Sequence, residues 1–246
     1  MPNDAKKITQ AVILSAGLGT RLRPITDNIP KVMVPFLGKP LLEWHIERFR
    51  DYGVKEIFIN LHYLSDAITG YFGDGEKFGV RMHYVLERPM ILGTAGGIKD
   101  FDSVLGENFF VIYGDMFNEI DYGKMEAAYR EKDGAIGMMV VGENDHPHDS
   151  DLAEVDPSLR FLKIYPKPHV SMPERWKSLD AVYIFNKKIL GYIPAGVYYE
   201  IDHELLPDIL TKSERFYGYE TDDFVKDIGT MERYRFVENY LKEKHA

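Results

Sequence analysis

The sequence predicts an α/β fold with a mostly parallel central sheet flanked by helices, plus a small antiparallel portion, and two patterns in the chain point to it. In the first half, apolar runs of strand length alternate with stretches of helical periodicity, which argues for parallel strands joined by crossover helices. In the second half, short strand-like runs flank a proline-containing turn, which favours an antiparallel hairpin.

The elements follow in order. Ala11 to Leu14 is a continuous apolar run that opens into Ser15-Ala16-Gly17-Leu18-Gly19, a buried strand leading into a glycine loop. Pro40 suits a first helical turn, Leu42, Ile46 and Phe49 recur at helical spacing, and Gly53 supplies the stop. Glu56 to Asn60 reads as strand, Leu64 to Phe72 as a short helix, Val80 to Glu87 as strand and Asn108 to Gly114 as a strongly apolar strand. The first half is therefore Rossmann-like, and such sheets place ligands at the carboxyl ends of their strands. Further on, Leu152 to Val155 and Phe161 to Tyr165 flank Asp156-Pro157-Ser158. Thr230 is a suitable N-cap, with Glu232 in the first turn and Tyr234, Val237 and Leu241 forming one apolar stripe of a final helix.

At 246 residues, the chain corresponds to one large domain or two small ones. No repeat, low-complexity tract or Gly/Ser linker divides it. It reads as a single domain over 1–246 with two halves, about 8–145 and about 146–246. The net charge of −9 disfavours a nucleic-acid partner. The absence of cysteine removes disulfides, thiolate metal sites and thiol catalysis, so any metal is held by oxygen or imidazole. No apolar run is long enough for a signal peptide or membrane span, which makes the cytoplasm the default address. The Glu143 to Asp151 stretch, with Asp145, His146, His148, Asp149 and Asp151, reads as a solvated, mobile acidic loop rather than a metal site.

The first chemical signal is Gly17-Leu18-Gly19-Thr20-Arg21-Leu22-Arg23-Pro24, directly after the first strand, with Lys31 following in Ile29-Pro30-Lys31. Successive amides around glycine form an anion-binding nest, and Arg21, Arg23 and Lys31 add a local cation cluster to an acidic protein. Two familiar glycine motifs do not fit. The dinucleotide fingerprint needs a third glycine where Leu22 stands, and the Walker loop needs Gly-Lys-Ser/Thr. Ala16 through Thr26, continuing into Pro30-Lys31-Val32-Met33-Val34-Pro35, resembles the signature of sugar-1-phosphate nucleotidyltransferases. The resemblance runs from Ala11 to about Tyr240 and is nearest to guanylyltransferases acting on mannose or manno-heptose 1-phosphate. It implies the Rossmann-like nucleotidyltransferase fold, with Ala16, Gly17, Gly19, Thr20 and Arg21 around the triphosphate and Lys31 bridging toward the reacting phosphates. It also implies no left-handed β-helical extension and no acyltransferase activity.

A phosphoryl-type reaction calls for a hard cation such as Mg²⁺ on one or two carboxylates. Asp115 ends the Asn108–Gly114 strand, where the small Gly114 lets a ligand approach, and Asp227 precedes the final helix in Asp227-Ile228-Gly229-Thr230. Each alone could be a cap or turn former. Together they resemble the family's metal pair, although the aromatic near Lys226 and the proline at Met231 are missing.

Leu86 to Gly97 resembles the family's nucleobase loop, with Gly93 and Thr94 in its Leu-Gly-Thr-Ala-Gly core. The carboxylate of Glu87 would match the two adjacent donors of guanine, N1–H and the 2-amino group, and so favours GTP; the open alternative is that Glu87 faces elsewhere and backbone groups read the base. Tyr165-Pro166-Lys167-Pro168 resembles the segment whose lysine binds the acceptor phosphate. The family's glutamate is Pro166 here, its Asn-Ala-Gly-Ile-Tyr segment appears as Leu179-Asp180-Ala181-Val182-Tyr183, and Asp180 is then the expected hydroxyl acceptor.

The expected activity is transfer of a nucleoside monophosphate, GMP first, to a sugar 1-phosphate with release of pyrophosphate. Arg21, Lys31 and Asp115 are the catalytic groups, and a homo-oligomer is allowed. The alternatives are the same reaction with UTP, CTP or dTTP and another sugar, or a noncatalytic nucleotide-sugar-binding regulatory subunit.

Overall fold

The computed structural model describes residues 7–143, 147–169 and 171–245. Its first half runs β1 (Gln10–Leu14), a small hairpin β2 (Pro35–Phe36) and β3 (Lys39–Pro40), α1 (Leu41–Tyr52), β4 (Glu56–Leu61), α2 (Ser65–Phe72), β5 (Arg81–Leu86), α3 (Gly93–Lys99) and β6 (Asn108–Tyr113). β1 lies between β4 and β6 and is parallel to both, with Val12 opposite Phe58 on one side and Val111 on the other. Covered on both faces, its residues Ala11 to Ile13 are fully buried, which is why this strand reads as an unbroken apolar run rather than an alternating one. β5 extends the parallel set beyond β4.

The second half contributes β7 (Met116–Asn118), α4 (Tyr122–Arg130), β8 (Ala135–Gly142), β9 (Leu152–Val155), β10 (Phe161–Tyr165), β11 (Trp176–Asn186), α5 (Leu206–Thr211), β12 (Arg215–Glu220), β13 (Val225–Asp227) and α6 (Met231–Lys244). β11 pairs antiparallel with β6, β8 and β9, so one nine-stranded sheet runs through both halves. The β9–β10 hairpin forms across the proline turn with Phe161 opposite Val155.

Several boundaries differ from the expectation: β4, β5 and β6 by one residue, and Pro40 lies in β3 ahead of α1. Gly93–Lys99, read as a loop, is a helix whose N-terminal residues pack against Tyr199 through backbone bonds from Ala95 and Gly96. Tertiary contact overrides the poor propensity of its glycines. α2 starts one residue late, because Leu64 adopts a left-handed φ of 50°. The Glu143–Asp151 stretch contains a short turn at Pro147–Asp149, while Asp145 and His146 lie outside the described residues. Asp151 is not the solvated side chain expected: its Oδ1 accepts the Lys167 N–H at 2.8 Å and lies 3.1 Å from His203 Nε2.

Two features aim the chemistry. The carboxyl ends of β1, β4, β5 and β6 share one sheet edge, as parallel order requires. Just past β6, β7 pairs antiparallel with β13, setting Asp227 opposite Met116, and the Ile228 N–H donates to Asp115 O at 2.9 Å. α6 clamps this ribbon through Val237 and Leu241, which are buried with Leu22, Val34, Phe36, Phe117 and Ile228 in a second apolar cluster. Among the described residues no helix is long and apolar enough to cross a membrane.

Candidate active site

The glycine loop leaves β1 and folds over the sheet edge. Gly19 takes a left-handed φ of 66°, which admits the turn without a Cβ penalty, and Thr26 Oγ1 donates to its carbonyl at 2.7 Å. Ala16, Gly17, Gly19, Thr20 and Arg21 line a cavity of about 420 Å³ together with Lys31, Gly93, Thr94, Tyr113 and Asp115. The amides of residues 16–19 have no partner among the described residues, which leaves a nest of donors open to an anion. Arg21 is exposed in the cleft and paired with no carboxylate among the described residues, and Gly229 approaches its guanidinium closely. Arg23 is not part of this group. It pairs with Asp27 at 3.3 Å and lines no part of the cleft, so the cation cluster is Arg21 and Lys31.

A second cavity of about 370 Å³ continues from Arg21, Tyr113 and Asp115 to Asp180, Lys167, Asp202, Asp227 and Arg233. The structure thus brings Asp115, Asp227, Lys167 and Asp180 to the lining of one cavity. Lys31 Nζ is ion-paired with Asp115 Oδ2 and is mostly buried, 12% exposed at the side chain. Asp227 accepts from Arg233 Nη1 on both oxygens, at 2.8 and 2.6 Å, and from the Gly229 N–H at 2.8 Å. Burial works to raise the Asp227 pKa, but these donors hold its carboxyl below the usual carboxylate range. Burial pushes Asp180 up to about 6, with Lys226 opposing and Asp227 reinforcing the shift.

Gly114 has a different role from the one expected. A Cβ there would lie 2.6 Å from Val32 Cγ1 and 2.8 Å from Leu14 O, so the glycine admits β1 and the Lys31 turn rather than a ligand. Behind it, His45 is buried in α1 and its Nε2–H donates to Gly114 O at 3.3 Å. Burial lowers its pKa to about 4, so it is a neutral brace for the Asp115 segment.

Glu87 is a correction. It is 2% exposed, and both of its oxygens are committed inside the protein, Oε1 to Asn60 Nδ2 and Oε2 to the Leu92 N–H, each at 2.7 Å. Asn60 Oδ1 in turn accepts the Ser15 N–H at 2.7 Å. The carboxylate therefore ties the start of the glycine loop to the base loop instead of facing a base. Thr94 does line the cleft, but its hydroxyl is engaged, donating to Glu200 Oε2 at 2.6 Å and accepting the Ile201 N–H at 2.8 Å. Gly97 packs against the Asn60–Glu87 link, and a Cβ there would come within 2.4 Å of Asn60 Nδ2 and 2.7 Å of Glu87 Oε1. Gly97→Ala is accordingly expected to cost about 1–3 kcal/mol of stability and to raise the KM for nucleotide, measured by calorimetry and steady-state kinetics. An unchanged unfolding midpoint would show that the link is slack.

The sequence reading missed Asp202, Tyr113 and Tyr183. Asp202 lies in a single π-helical turn, Ile201–Leu205, and accepts from Tyr113 and Tyr183 hydroxyls at 2.9 Å each. Burial raises its pKa to about 6 despite these two donors. Nothing in the local spelling separates this aspartate from the other acids around it.

With this geometry in place, the family described as nucleotidyl transferase matches residues 10–244. The chain is 33% identical over 238 residues to the UTP--glucose-1-phosphate uridylyltransferase of Synechocystis sp., covering 92% of this chain and 61% of that protein. It is 39% identical over 117 residues to the D-glycero-alpha-D-manno-heptose 1-phosphate guanylyltransferase of Campylobacter jejuni, covering 48% of this chain and 52% of that one. Among solved structures it resembles HddC from Yersinia pseudotuberculosis complexed with GMP-PN, with a TM-score of 0.75 and 27% identity over 95% of this chain and 100% of that one. The chain spans 61% and 52% of these curated relatives.

Proposed function

Because the chain belongs to the nucleotidyl transferase family, we propose that it transfers a nucleoside monophosphate from a nucleoside triphosphate to a sugar 1-phosphate, releasing pyrophosphate. One observation carries this reading: two cavities that share Arg21, Tyr113 and Asp115 join Lys31 and a nest of free amides in the first to Lys167, Asp180 and Asp227 in the second. A triphosphate on the nest directs its leaving pyrophosphate toward Arg21 and Lys31, and fixed cations there stabilise the charge that develops as the bond to the α-phosphorus breaks. The acceptor lies at the Lys167 end and attacks in line. A phosphate monoester with second pKa of about 6 is already largely dianionic at neutral pH, so no general base is required and alignment carries much of the rate.

The donor set also fits Mg²⁺. Asp115, just ahead of β7, and Asp227, at the end of β13, supply hard carboxylate oxygens at one end of the β7–β13 ribbon. Two carboxylates would leave the ion's other positions to phosphate oxygens and water. When bound, the ion neutralises phosphate charge. Lys31 and Arg233 hold the two carboxylates in position.

The Glu87 argument for guanine falls with the burial of that side chain, while the likeness to guanylyltransferases remains. The relatives divide between uridylyl and guanylyl transfer, so the proposal covers a nucleoside triphosphate and the base is assigned by experiment. Pyrophosphate release is measured for GTP, UTP, CTP and dTTP against a panel of sugar 1-phosphates, with products weighed by mass spectrometry. A nucleotide sugar from at least one pair is expected. Nucleotide binding without pyrophosphate release from any pair overturns the proposal in favour of a noncatalytic nucleotide-sugar-binding subunit.

A further inference from the structure

We propose that Arg233 is a second anchor for the acceptor phosphate, held in place by Asp227; this rests on the reading of the cleft given above. The first sign is local. Thr230 caps α6 and its Oγ1 accepts the Arg233 N–H at 3.3 Å, which places Arg233 in the first helical turn. A cation there faces the positive end of the helix dipole, at a cost of about 0.3–1 kcal/mol. The side chain is instead engaged outside its helix, with Asp227.

The second sign is how the side chain spends its donors. Nη1 alone serves both Asp227 oxygens, at 2.8 and 2.6 Å, and the side chain remains 34% exposed on the cleft wall. Nε and Nη2 have no partner among the described residues. A guanidinium fixed at one corner and free along its remaining edge is arranged to take two oxygens of a phosphate. Because Asp227 already fixes the plane of the group, little side-chain freedom is lost on binding.

The third sign is position. Lys167, Lys226 and Arg233 come from three separate segments and line the same cavity, which also holds Asp227 and meets the glycine-loop cavity at Arg21, Tyr113 and Asp115. That is where a dianionic acceptor must approach a polyphosphate against like-charge repulsion. Lys31 lines only the glycine-loop cavity and Arg21 lines both, while Arg233 lines only the second among the cavities described. The division assigns Arg233 to the acceptor.

The test uses the full chain with Arg233→Gln and Arg233→Lys. For the substrate pair found active, Arg233→Gln is expected to raise the KM of the sugar 1-phosphate about 10-fold to 100-fold, the loss of a charge-assisted pair of bonds, with the KM of the triphosphate nearly constant. Arg233→Lys, which keeps the charge and loses the fork, falls between the two, and it also serves if the glutamine variant does not fold. Equal changes in both KM values, no change in either, or a lowered unfolding midpoint alone would overturn the proposal and leave Arg233 a structural partner of Asp227. If the wild type releases no pyrophosphate with any pair, the functional reading fails on its own. Calorimetric titration of mannose 1-phosphate and inorganic phosphate into wild type and Arg233→Gln then decides this point, with weaker binding to the variant expected and equal or absent binding to both proteins overturning it.

Discussion

Asp115→Asn is expected to lower turnover by about three orders of magnitude, equivalent to about 4 kcal/mol of lost transition-state stabilisation, while shifting the unfolding midpoint by only a few degrees. The amide keeps the shape of the carboxylate, so the backbone that fixes this residue stays satisfied: the Gly114 N–H still reaches Leu14 O, the Ile228 N–H still reaches Asp115 O, and His45 still braces Gly114. The negative charge disappears. Lys31 loses the partner that aims its ammonium into the cleft, and the pair of carboxylates expected to share a hard cation is reduced to Asp227. Loss of one charge-assisted contact at a part-buried site accounts for about 1–2 kcal/mol of stability, a modest shift for a domain of this size. Pyrophosphate release and scanning calorimetry on the same preparation check both halves of the expectation. Activity within 10-fold of wild type would remove Asp115 from the chemistry.

Residues that break a local pattern were the legible ones. Gly17 and Gly19 interrupt an apolar strand, Asp115 ends one, and Asp227 sits between a short strand and a helix cap. Each is an anomaly that short-range rules detect, and all of them line the cleft or its immediate wall. The β9–β10 hairpin and the α6 cap were readable for the same reason, since a proline turn and a threonine cap are local chemistry. Glu87 shows where that logic stops. Its sequence position after a strand suggested an exposed carboxylate, but its burial is decided by Asn60 and Leu92, 27 and 5 residues away. Asp202 depends in the same way on Tyr113, 89 residues distant. Gly114 was noticed, but its purpose was not, because the Val32 methyl that fills the space beside it comes from another part of the chain. Long-range packing determines which polar groups are spent inside the protein and which are left for a ligand.

Lys31→Met tests the most tightly shared part of the site, and a fall in kcat of about 10²-fold to 10³-fold is expected, with the KM of the triphosphate raised only a few-fold. Methionine preserves much of the apolar stem that packs in the short turn Lys31–Met33 and removes the charge. The ammonium touches Asp115 and its field reaches Asp227, where it helps to hold that carboxyl below its ordinary range. One cation therefore compensates two acids in the free protein and, in the proposed reaction, would face the departing pyrophosphate. An interaction that strengthens as charge moves onto the leaving group lowers kcat when deleted, whereas one equally strong in ground and transition states changes KM alone. Combining Lys31→Met with Asp115→Asn sharpens the test. If the two side chains act as a unit, the double variant is little slower than the worse single variant, far from the product of the two defects. Multiplicative losses would mean that Lys31 and Asp115 serve separate steps, and a pure KM effect for Lys31→Met would make it a docking group for the triphosphate with no part in the bond-breaking event.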